Sequence, residues 1–282
     1  MIEVISVLGA GTMGHGIAQV AAMAGYQVFL YDIKDEFVTR GFASIKNNLD
    51  KGVEKGKVTA EARDQAIAKL TITTDLAIAA KPSNLVIEAV PESLDLKRSI
   101  FSQLDELSSP ETILATNTSS LSVKDIAAAT KRPQLVLGMH FFNPVHIMKL
   151  LEVVHTEETS KETIDTVLEI SRRLGKEPIL VKDSPGFASS RLGITLGLEA
   201  MRMLEQGVAT AADIDKAMEL GYNHPMGPLK LTDLVGLDIR LSIADYLYST
   251  LGSEVFRAPE ILRQKVAEGK LGKKSGEGFY KW

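Results

Sequence analysis

The side chains of this sequence best suited to move a proton near neutral pH are its histidines, because the ordinary pKa of imidazole lies close to that pH. There are five, at positions 15, 140, 146, 155 and 224. His140 stands out because it directly follows an apolar run, 135–139, that predicts a strand. Glu152 lies within the next apolar run, where an unpaired carboxylate is costly to bury. We therefore expect His140 to pair with Glu152 and act as a general base; a core histidine with no catalytic role is the alternative.

A glycine-rich loop near the start of the chain has the spacing of a dinucleotide-binding site. It comprises Gly9, Ala10, Gly11, Thr12, Met13 and Gly14. The run 4–8 before it predicts a buried strand, and the apolar residues after it recur at helical spacing. In such a loop Gly9 makes the tight turn, Gly11 lets a pyrophosphate approach the backbone, and Gly14 lets the helix pack closely on the strand. The free N–H groups at the start of the helix then face the phosphates.

Asp32 completes this β-α-β unit and indicates which dinucleotide binds. It ends a second predicted strand, 27–32, at the distance from Gly14 that the motif requires. A carboxylate there accepts hydrogen bonds from the ribose hydroxyls and repels a 2′-phosphate, which favours NAD over NADP. The alternative, a glycine turn that binds nothing, fits poorly with two strands, a helix and an aspartate that are all in register.

Composition argues against several classes of function. The chain has 282 residues and a formal net charge of −4, with no block of like charge, so nothing favours binding to nucleic acid. It has no cysteine, which rules out disulfides, thiolate catalysis and cysteine metal sites, and we expect no metal. No apolar stretch is long enough to span a membrane, and Met1 leads into the first predicted strand without a signal peptide. We therefore expect a cytoplasmic protein that contacts no membrane.

The elements that must position these residues alternate between strand and helix over 1–185. This pattern predicts an α/β fold with a doubly wound, mostly parallel sheet of the Rossmann type. Polar residues at the ends of the predicted strands should share one edge of that sheet: Glu88, Asn117, Ser119 and His140. A polar helical arm, about 37–70, interrupts the alternation. The pattern over 186–282 is helical only, which predicts a second, all-helical domain for substrate binding or dimerisation.

Several motifs, in order and spacing over essentially the whole chain, resemble the L-3-hydroxyacyl-CoA dehydrogenase family, and within it the short bacterial 3-hydroxybutyryl-CoA dehydrogenases. They lie at 9–14, 117–120, 140–144, 185–187, 225–228 and 276–280. The resemblance implies an NAD-dependent oxidoreductase that interconverts an L-3-hydroxyacyl-CoA and its 3-ketoacyl-CoA by hydride transfer. It also implies that 3-hydroxybutyryl-CoA is the substrate and that the protein is a homodimer.

The resemblance further implies individual roles. His140 is the general acid or base, Glu152 orients it, and Ser119 bonds the reacting oxygen of the substrate. Residues implied to contact NAD, besides the glycine loop and Asp32, are Glu92, Lys97, Asn117, Ser119 and Lys274. Residues implied to contact the acyl-CoA are Ser44, Lys51, Ser119 and Asn143. Ser44 and Lys51 give the charged arm a purpose, because a lysine is a suitable point charge opposite a CoA phosphate.

One position departs from the family pattern. Ser190 stands where the family has an asparagine that helps to bind the substrate carbonyl. Either the shorter hydroxyl acts through water or the donor is lost, and loss of one such donor can lower the rate about 100-fold or more. Two alternatives therefore stay open. One is a dehydrogenase of a free hydroxy acid or sugar acid on the same fold, and the other is an NAD-binding dimer with weakened catalysis.

Overall fold

The contacts within the chain divide it into two units. A computed structural model describes residues 2–282. The first unit ends at Ser184, and the second spans Pro185–Trp282. Each unit has a hydrophobic core of its own, as two independently folding domains require.

The first unit is built on one eight-stranded sheet. Its strands are β1 Val4–Leu8, β2 Gln27–Tyr31, β3 Leu70–Thr73, β4 Leu85–Glu88, β5 Ile113–Thr116, β6 Val136–Phe141, β7 Leu150–His155 and β8 Glu177–Lys182. Their order across the sheet is β3-β2-β1-β4-β5-β6-β7-β8, and every neighbouring pair is parallel except β6 and β7. The predicted α/β class with a mostly parallel sheet is therefore confirmed. The carboxyl ends of β1, β4, β5 and β6 meet at one edge, where ligands bind in such sheets.

Helices cover both faces of this sheet. They are α1 Thr12–Met23, α2 Asp35–Glu54, α3 Ala60–Ala68, α4 Leu76–Ala80, α5 Leu94–Leu107, α6 Val123–Ala127 and α7 Lys161–Arg173. Alternate residues of each buried strand face opposite sides: Ile87 joins the core beneath α1, α2 and α7, whereas Val86 joins the core beneath α4, α5 and α6. This two-sided burial explains why the central strands read as nearly continuous apolar runs.

The predicted helical arm corresponds to α2 and α3, but its predicted end at residue 70 is wrong. Leu70 begins β3, which pairs in parallel with β2, and neither β3 nor α4 was predicted. β3 has only four residues, so its alternation of apolar and polar side chains is too short to be recognised in the sequence. Pairing with β2, which tertiary contact alone determines, makes this segment a strand.

The second unit is helical, as its periodicity predicts. Its helices are α8 Ser189–Glu205, α9 Ala211–Gly221, α10 Pro228–Val235, α11 Leu237–Leu251 and α12 Glu260–Ala267. Their buried residues, among them Leu198, Leu229 and Leu247, form one hydrophobic core. Throughout residues 2–282, no helix combines the length and apolar character that crossing a bilayer demands.

Two buried aspartates hold the C-terminal segment of the second unit in place. Asp233 accepts hydrogen bonds from the backbone N–H groups of Phe279 and Tyr280, both at 2.8 Å, and from the indole N–H of Trp282 at 3.0 Å. Asp215 accepts one from the Tyr280 hydroxyl at 2.7 Å. A Cβ on Gly278 would lie 2.2 Å from an Asp233 carboxylate oxygen, so only glycine fits. The glycine-rich tail motif is therefore a docking segment.

Candidate active site

The glycine loop between β1 and α1 has the geometry of a pyrophosphate cradle. Gly9 has a φ of +95°, a conformation that a side chain would strain. A Cβ on Gly14 would lie 1.6 Å from the Gly9 carbonyl oxygen, so helix and loop approach as closely as the motif requires. A Cβ on Gly11 would meet nothing within 4 Å, which leaves its backbone open on the ligand side. The three glycines thus meet the three requirements expected from their spacing.

Asp32 follows β2 and lies against this loop. One carboxylate oxygen accepts a hydrogen bond from the Ala10 N–H at 2.7 Å and the other accepts one from the Ile33 N–H at 2.8 Å. A cavity of about 670 Å³ opens beside it. Residues that line this cavity include Gly9, Gly11, Thr12, Met13 and Asp32. A cavity that joins an open loop backbone to a carboxylate at the end of the second strand fits a dinucleotide such as NAD.

His140 and Glu152 face each other across the antiparallel pair β6 and β7. They are direct register partners, and the His140 Nδ1 lies 2.7 Å from a Glu152 carboxylate oxygen. His140 is 7% exposed and Glu152 is fully buried. The expected contact is therefore present, but His140 lies within β6 and does not follow it as predicted. The strand continues to Phe141 because β7 pairs with it along that length.

This contact determines which ring nitrogen of His140 can act as a base. An ionised carboxylate only accepts hydrogen bonds, so Nδ1 donates to Glu152. In the neutral imidazole the basic lone pair is then on Nε2. The Phe142 ring lies against the imidazole, with the two centroids 4.5 Å apart, and fixes its plane further. The arrangement resembles the orientation of a catalytic histidine by a buried acid in other enzymes.

Asn117 ties the end of β5 to the strand that bears His140. Its side-chain oxygen accepts a hydrogen bond from the Phe141 backbone N–H at 2.9 Å, and its backbone N–H donates one to the Glu88 carbonyl at 2.7 Å. Asn117 thereby holds together three neighbouring strand ends: those of β4, β5 and β6. Because β4, β5 and β6 are neighbouring parallel strands, the polar residues at their ends lie at one edge of the sheet, as predicted.

Ser119 is held by Glu92, which lies in the turn between β4 and α5. The Glu92 carboxylate accepts hydrogen bonds from the Ser119 N–H at 2.9 Å and from the Ser119 hydroxyl at 3.4 Å. The Thr118 hydroxyl donates to the same oxygen at 2.5 Å. Lys97, which is 1% exposed, forms an ion pair with the other Glu92 oxygen at 3.3 Å. Two residues predicted to touch NAD, Glu92 and Lys97, are therefore linked to each other and to Ser119.

Glu88 belongs to the same network, although the sequence analysis gave it no role. It is fully buried at the end of β4 and receives the Lys97 ammonium at 2.7 Å. The signal that singled out Glu152, a carboxylate in an otherwise apolar strand, applies equally to Glu88. Its partner was not predictable, because Lys97 is one of several lysines on polar helices.

The arm contributes to a basic cavity of about 630 Å³ between α1, α2 and the loop after β6. Its lining combines apolar side chains with five basic ones: Lys51, Lys55, Lys57, His146 and Arg173. Burial lowers the pKa of His146, and Lys176, His15 and Lys57 lower it further by charge repulsion. The cavity therefore presents a concentrated positive charge. Ser44 lies on the same helix outside this cavity, where its hydroxyl donates to the Arg40 carbonyl at 2.9 Å.

Asn143 lies at a smaller cavity of about 250 Å³ next to the basic one. His15 and Asn48 line it too, and the two cavities share Asn48 and His146. The loop after β6 therefore connects a residue predicted to contact the acyl group with the basic arm. An elongated ligand could extend from one cavity to the other.

The remaining predicted site residues lie in the second unit. Ser190 is half-buried in the first turn of α8. The Lys274 ammonium donates to the Asp238 carboxylate at 2.6 Å, near the start of α11. Burial raises the pKa of Asp238, but this hydrogen bond and backbone N–H donors lower it by more. Among residues 2–282, no three histidine, aspartate or glutamate side chains are grouped so that they could hold a metal ion.

Comparison with known proteins identifies the family. The model of the 3-hydroxyacyl-CoA dehydrogenase NAD binding domain matches residues 4–184, and that of the C-terminal domain of the same enzymes matches residues 186–282. The probable 3-hydroxybutyryl-CoA dehydrogenase of Deinococcus radiodurans is 46% identical over 98% of this chain and 99% of its own. The 3-hydroxybutyryl-CoA dehydrogenase of Clostridioides difficile is 44% identical over 98% of each chain.

A solved structure agrees with these relatives in fold. The crystal structure of (S)-3-hydroxybutyryl-CoA dehydrogenase from Ralstonia eutropha superposes with a TM-score of 0.97 at 40% identity and covers 100% of this chain and 99% of that one. The resemblance inferred from the motifs is thereby confirmed, and NAD is the dinucleotide that fits the first unit. The chain belongs to the 3-hydroxyacyl-CoA dehydrogenase family of NAD-dependent oxidoreductases.

Proposed function

We propose that this enzyme interconverts L-3-hydroxybutyryl-CoA and acetoacetyl-CoA, with NAD as the hydride carrier and His140 as the general acid or base. The observation that carries the proposal is the buried 2.7 Å contact between His140 and Glu152, on the sheet edge where the glycine loop begins. The relatives named for 3-hydroxybutyryl-CoA support the choice of substrate. They do not favour the alternatives of a free hydroxy acid or a silent NAD-binding dimer.

The proton transfer follows from the chemistry of the pair. In the oxidative direction the His140 Nε2 accepts the proton of the substrate hydroxyl, and the Glu152 carboxylate stabilises the imidazolium that forms. In the reductive direction the imidazolium returns that proton to the carbonyl oxygen. NAD, when bound in the first unit, supplies the hydride acceptor at its nicotinamide ring. Ser119 and Asn143 are proposed to hydrogen-bond the acyl end of the substrate and so place its reacting carbon.

The basic cavity supports the CoA part of the proposal. Its apolar wall suits an adenine ring, and the three lysines and Arg173 around it suit phosphates. Lys51 is proposed to bind one of these phosphates, with Ser44 nearby on the same helix. The sequence resemblance points to the same helix and supports this proposal. Acyl-CoA and NAD are intracellular metabolites, and the proposal therefore includes a cytoplasmic location.

The second unit is proposed to help bind the substrate and to form a homodimer. Large apolar side chains are exposed on four of its helices: Leu192, Leu220, Leu234 and Ile239, with exposures between 45% and 75%. These exposed apolar side chains support a contact with another protein surface, and a second copy of this chain is the occupant we propose. Light scattering should give twice the mass of one chain, and Leu234→Glu should shift it toward one chain. A wild-type mass of one chain would refute the dimer.

The test of the reaction is the loss of NADH absorbance on addition of acetoacetyl-CoA. We expect wild-type turnover with acetoacetyl-CoA and none with free acetoacetate, which separates a CoA enzyme from a dehydrogenase of free acids. His140→Gln should reduce turnover at least about 100-fold. His155→Gln is the matched control, because His155 ends the neighbouring strand β7 and is only half-buried. Equal rates for wild type and His140→Gln would remove His140 from the mechanism.

A further inference from the structure

Glu88 is a buried carboxylate whose oxygens are both engaged by donors. One oxygen accepts hydrogen bonds from the Val90 N–H and from the Lys97 ammonium, each at 2.7 Å. The other accepts one from the Thr116 hydroxyl at 2.7 Å. Glu88 and Thr116 are register partners at the ends of β4 and β5, and both are fully buried. The position of this carboxylate is therefore fixed by two strands and one helix.

Lys97 links the Glu88 carboxylate to Glu92, which lies in the turn after β4. Its ammonium lies between two carboxylates, 2.7 Å from Glu88 and 3.3 Å from Glu92, and its side chain is 1% exposed. Glu92 is half-exposed, and its charge is not held in place by a strand. The Lys97 ammonium, held by Glu88, attracts one oxygen of the Glu92 carboxylate and so favours one orientation of that group. In that orientation the other Glu92 oxygen faces Ser119.

We propose that Glu88 and Lys97 are positioning residues that place the Ser119 hydroxyl through Glu92. This inference rests on the proposed function, in which Ser119 bonds the reacting oxygen of the substrate. In this role Lys97 acts on the turn through its ion pair with Glu92. The network extends from Thr116 through Glu88, Lys97 and Glu92 to Ser119, and each link is a contact of 3.4 Å or less.

Glu88→Gln is the perturbation that breaks the chain of charges while keeping the shape of the side chain. The Lys97 ammonium then loses its closer carboxylate and is attracted toward Glu92, which turns the Glu92 carboxylate away from Ser119. A small displacement of a group that contacts the substrate can cost about 100-fold in rate. We expect Glu88→Gln to lower kcat with acetoacetyl-CoA, measured at saturating NADH, about 10- to 100-fold.

A double-mutant cycle with Ser119→Ala separates positioning from a merely structural role. If Glu88 acts through Ser119, Glu88→Gln should change kcat by less than about twofold once Ser119 is alanine. If Glu88 only supports folding, it should lower the active fraction equally in both backgrounds, and the two effects should multiply. Circular dichroism and unfolding in urea should be measured for every variant so that rates refer to correctly folded enzyme.

The outcomes distinguish this inference from the proposed function. Wild-type turnover with a non-additive cycle supports both, whereas turnover with multiplicative effects refutes the positioning role alone. Absence of wild-type turnover refutes the proposed function and this inference with it. If Glu88→Gln does not fold, Thr116→Val replaces it in the cycle, because that variant removes one hydrogen bond to Glu88 and leaves no buried charge unpaired. The same non-additivity is then required.

Discussion

Replacing Glu152 with glutamine should impair catalysis severely while leaving cofactor binding intact. At the 2.7 Å separation of the His140 Nδ1 and the Glu152 oxygen, two unit charges attract by about 6 kcal/mol in an effective dielectric of about 20. Delocalisation of the imidazolium charge and the hydrogen bond that glutamine retains reduce the expected loss to about 3 kcal/mol. Because about 1.4 kcal/mol corresponds to tenfold in rate, kcat should fall about 100-fold or more.

The assay is the rate of NADH oxidation at saturating acetoacetyl-CoA, with NADH affinity measured separately by fluorescence. Glu177→Gln on β8 is the matched control, because Glu177 is exposed and its contact with Lys149 is a surface ion pair, 3.6 Å long. That variant should keep wild-type kcat. A Glu152→Gln enzyme that folds, binds NADH and retains more than about a third of wild-type kcat would refute the assigned role of the carboxylate.

Three further predictions test the basic cavity, the departure from the family pattern and the charge around the loop after β6. Lys51→Ala should raise the KM for acetoacetyl-CoA about tenfold without changing the KM for NADH. Lys46→Ala, on the same helix, is the control and should change neither KM. An unaltered KM for acetoacetyl-CoA in Lys51→Ala would contradict a phosphate contact. Ser190→Asn should raise kcat if the serine has lost a donor to the substrate carbonyl, and an unchanged kcat would show that the hydroxyl suffices. The lowered pKa of His146 means that the folded state binds its proton less tightly than the unfolded state, so this residue contributes a loss of stability as pH falls below about 6.5. His146→Gln should make the free energy of unfolding, measured in urea, less sensitive to pH between about 7.5 and 5.5, and an unchanged dependence would contradict this assignment.

Much of the fold was predictable because its signals are local. The glycine loop, the apolar runs of the central strands and the helical periodicity after residue 185 each depend on near neighbours in the sequence. The short strand β3 was not predictable, because its four residues become a strand only by pairing with β2. The same limit applies to Asp215 and Asp233, whose partners in the tail are up to 65 residues away.

Some contacts of the candidate site were likewise predictable from the sequence, and others were not. The pairing of His140 with Glu152 was predictable, because a carboxylate that is costly to bury and a histidine lie on adjacent strands. The contacts of Glu88 and Lys97 were not, because the choice among many lysines depends on how α5 packs against the sheet. Motif resemblance predicts that Lys97 contacts NAD, but it gave no sign that the ammonium lies between two carboxylates.

The most direct test of the central claim is a single-turnover reduction of acetoacetyl-CoA by enzyme saturated with NADH, compared between wild type and His140→Gln by rapid mixing. This experiment observes the chemical step without product release. Without the imidazole, the nicotinamide absorbance should decay about 1,000-fold more slowly, within the range that general acid–base catalysis contributes. Decay at the wild-type rate in the variant would show that another group supplies the proton.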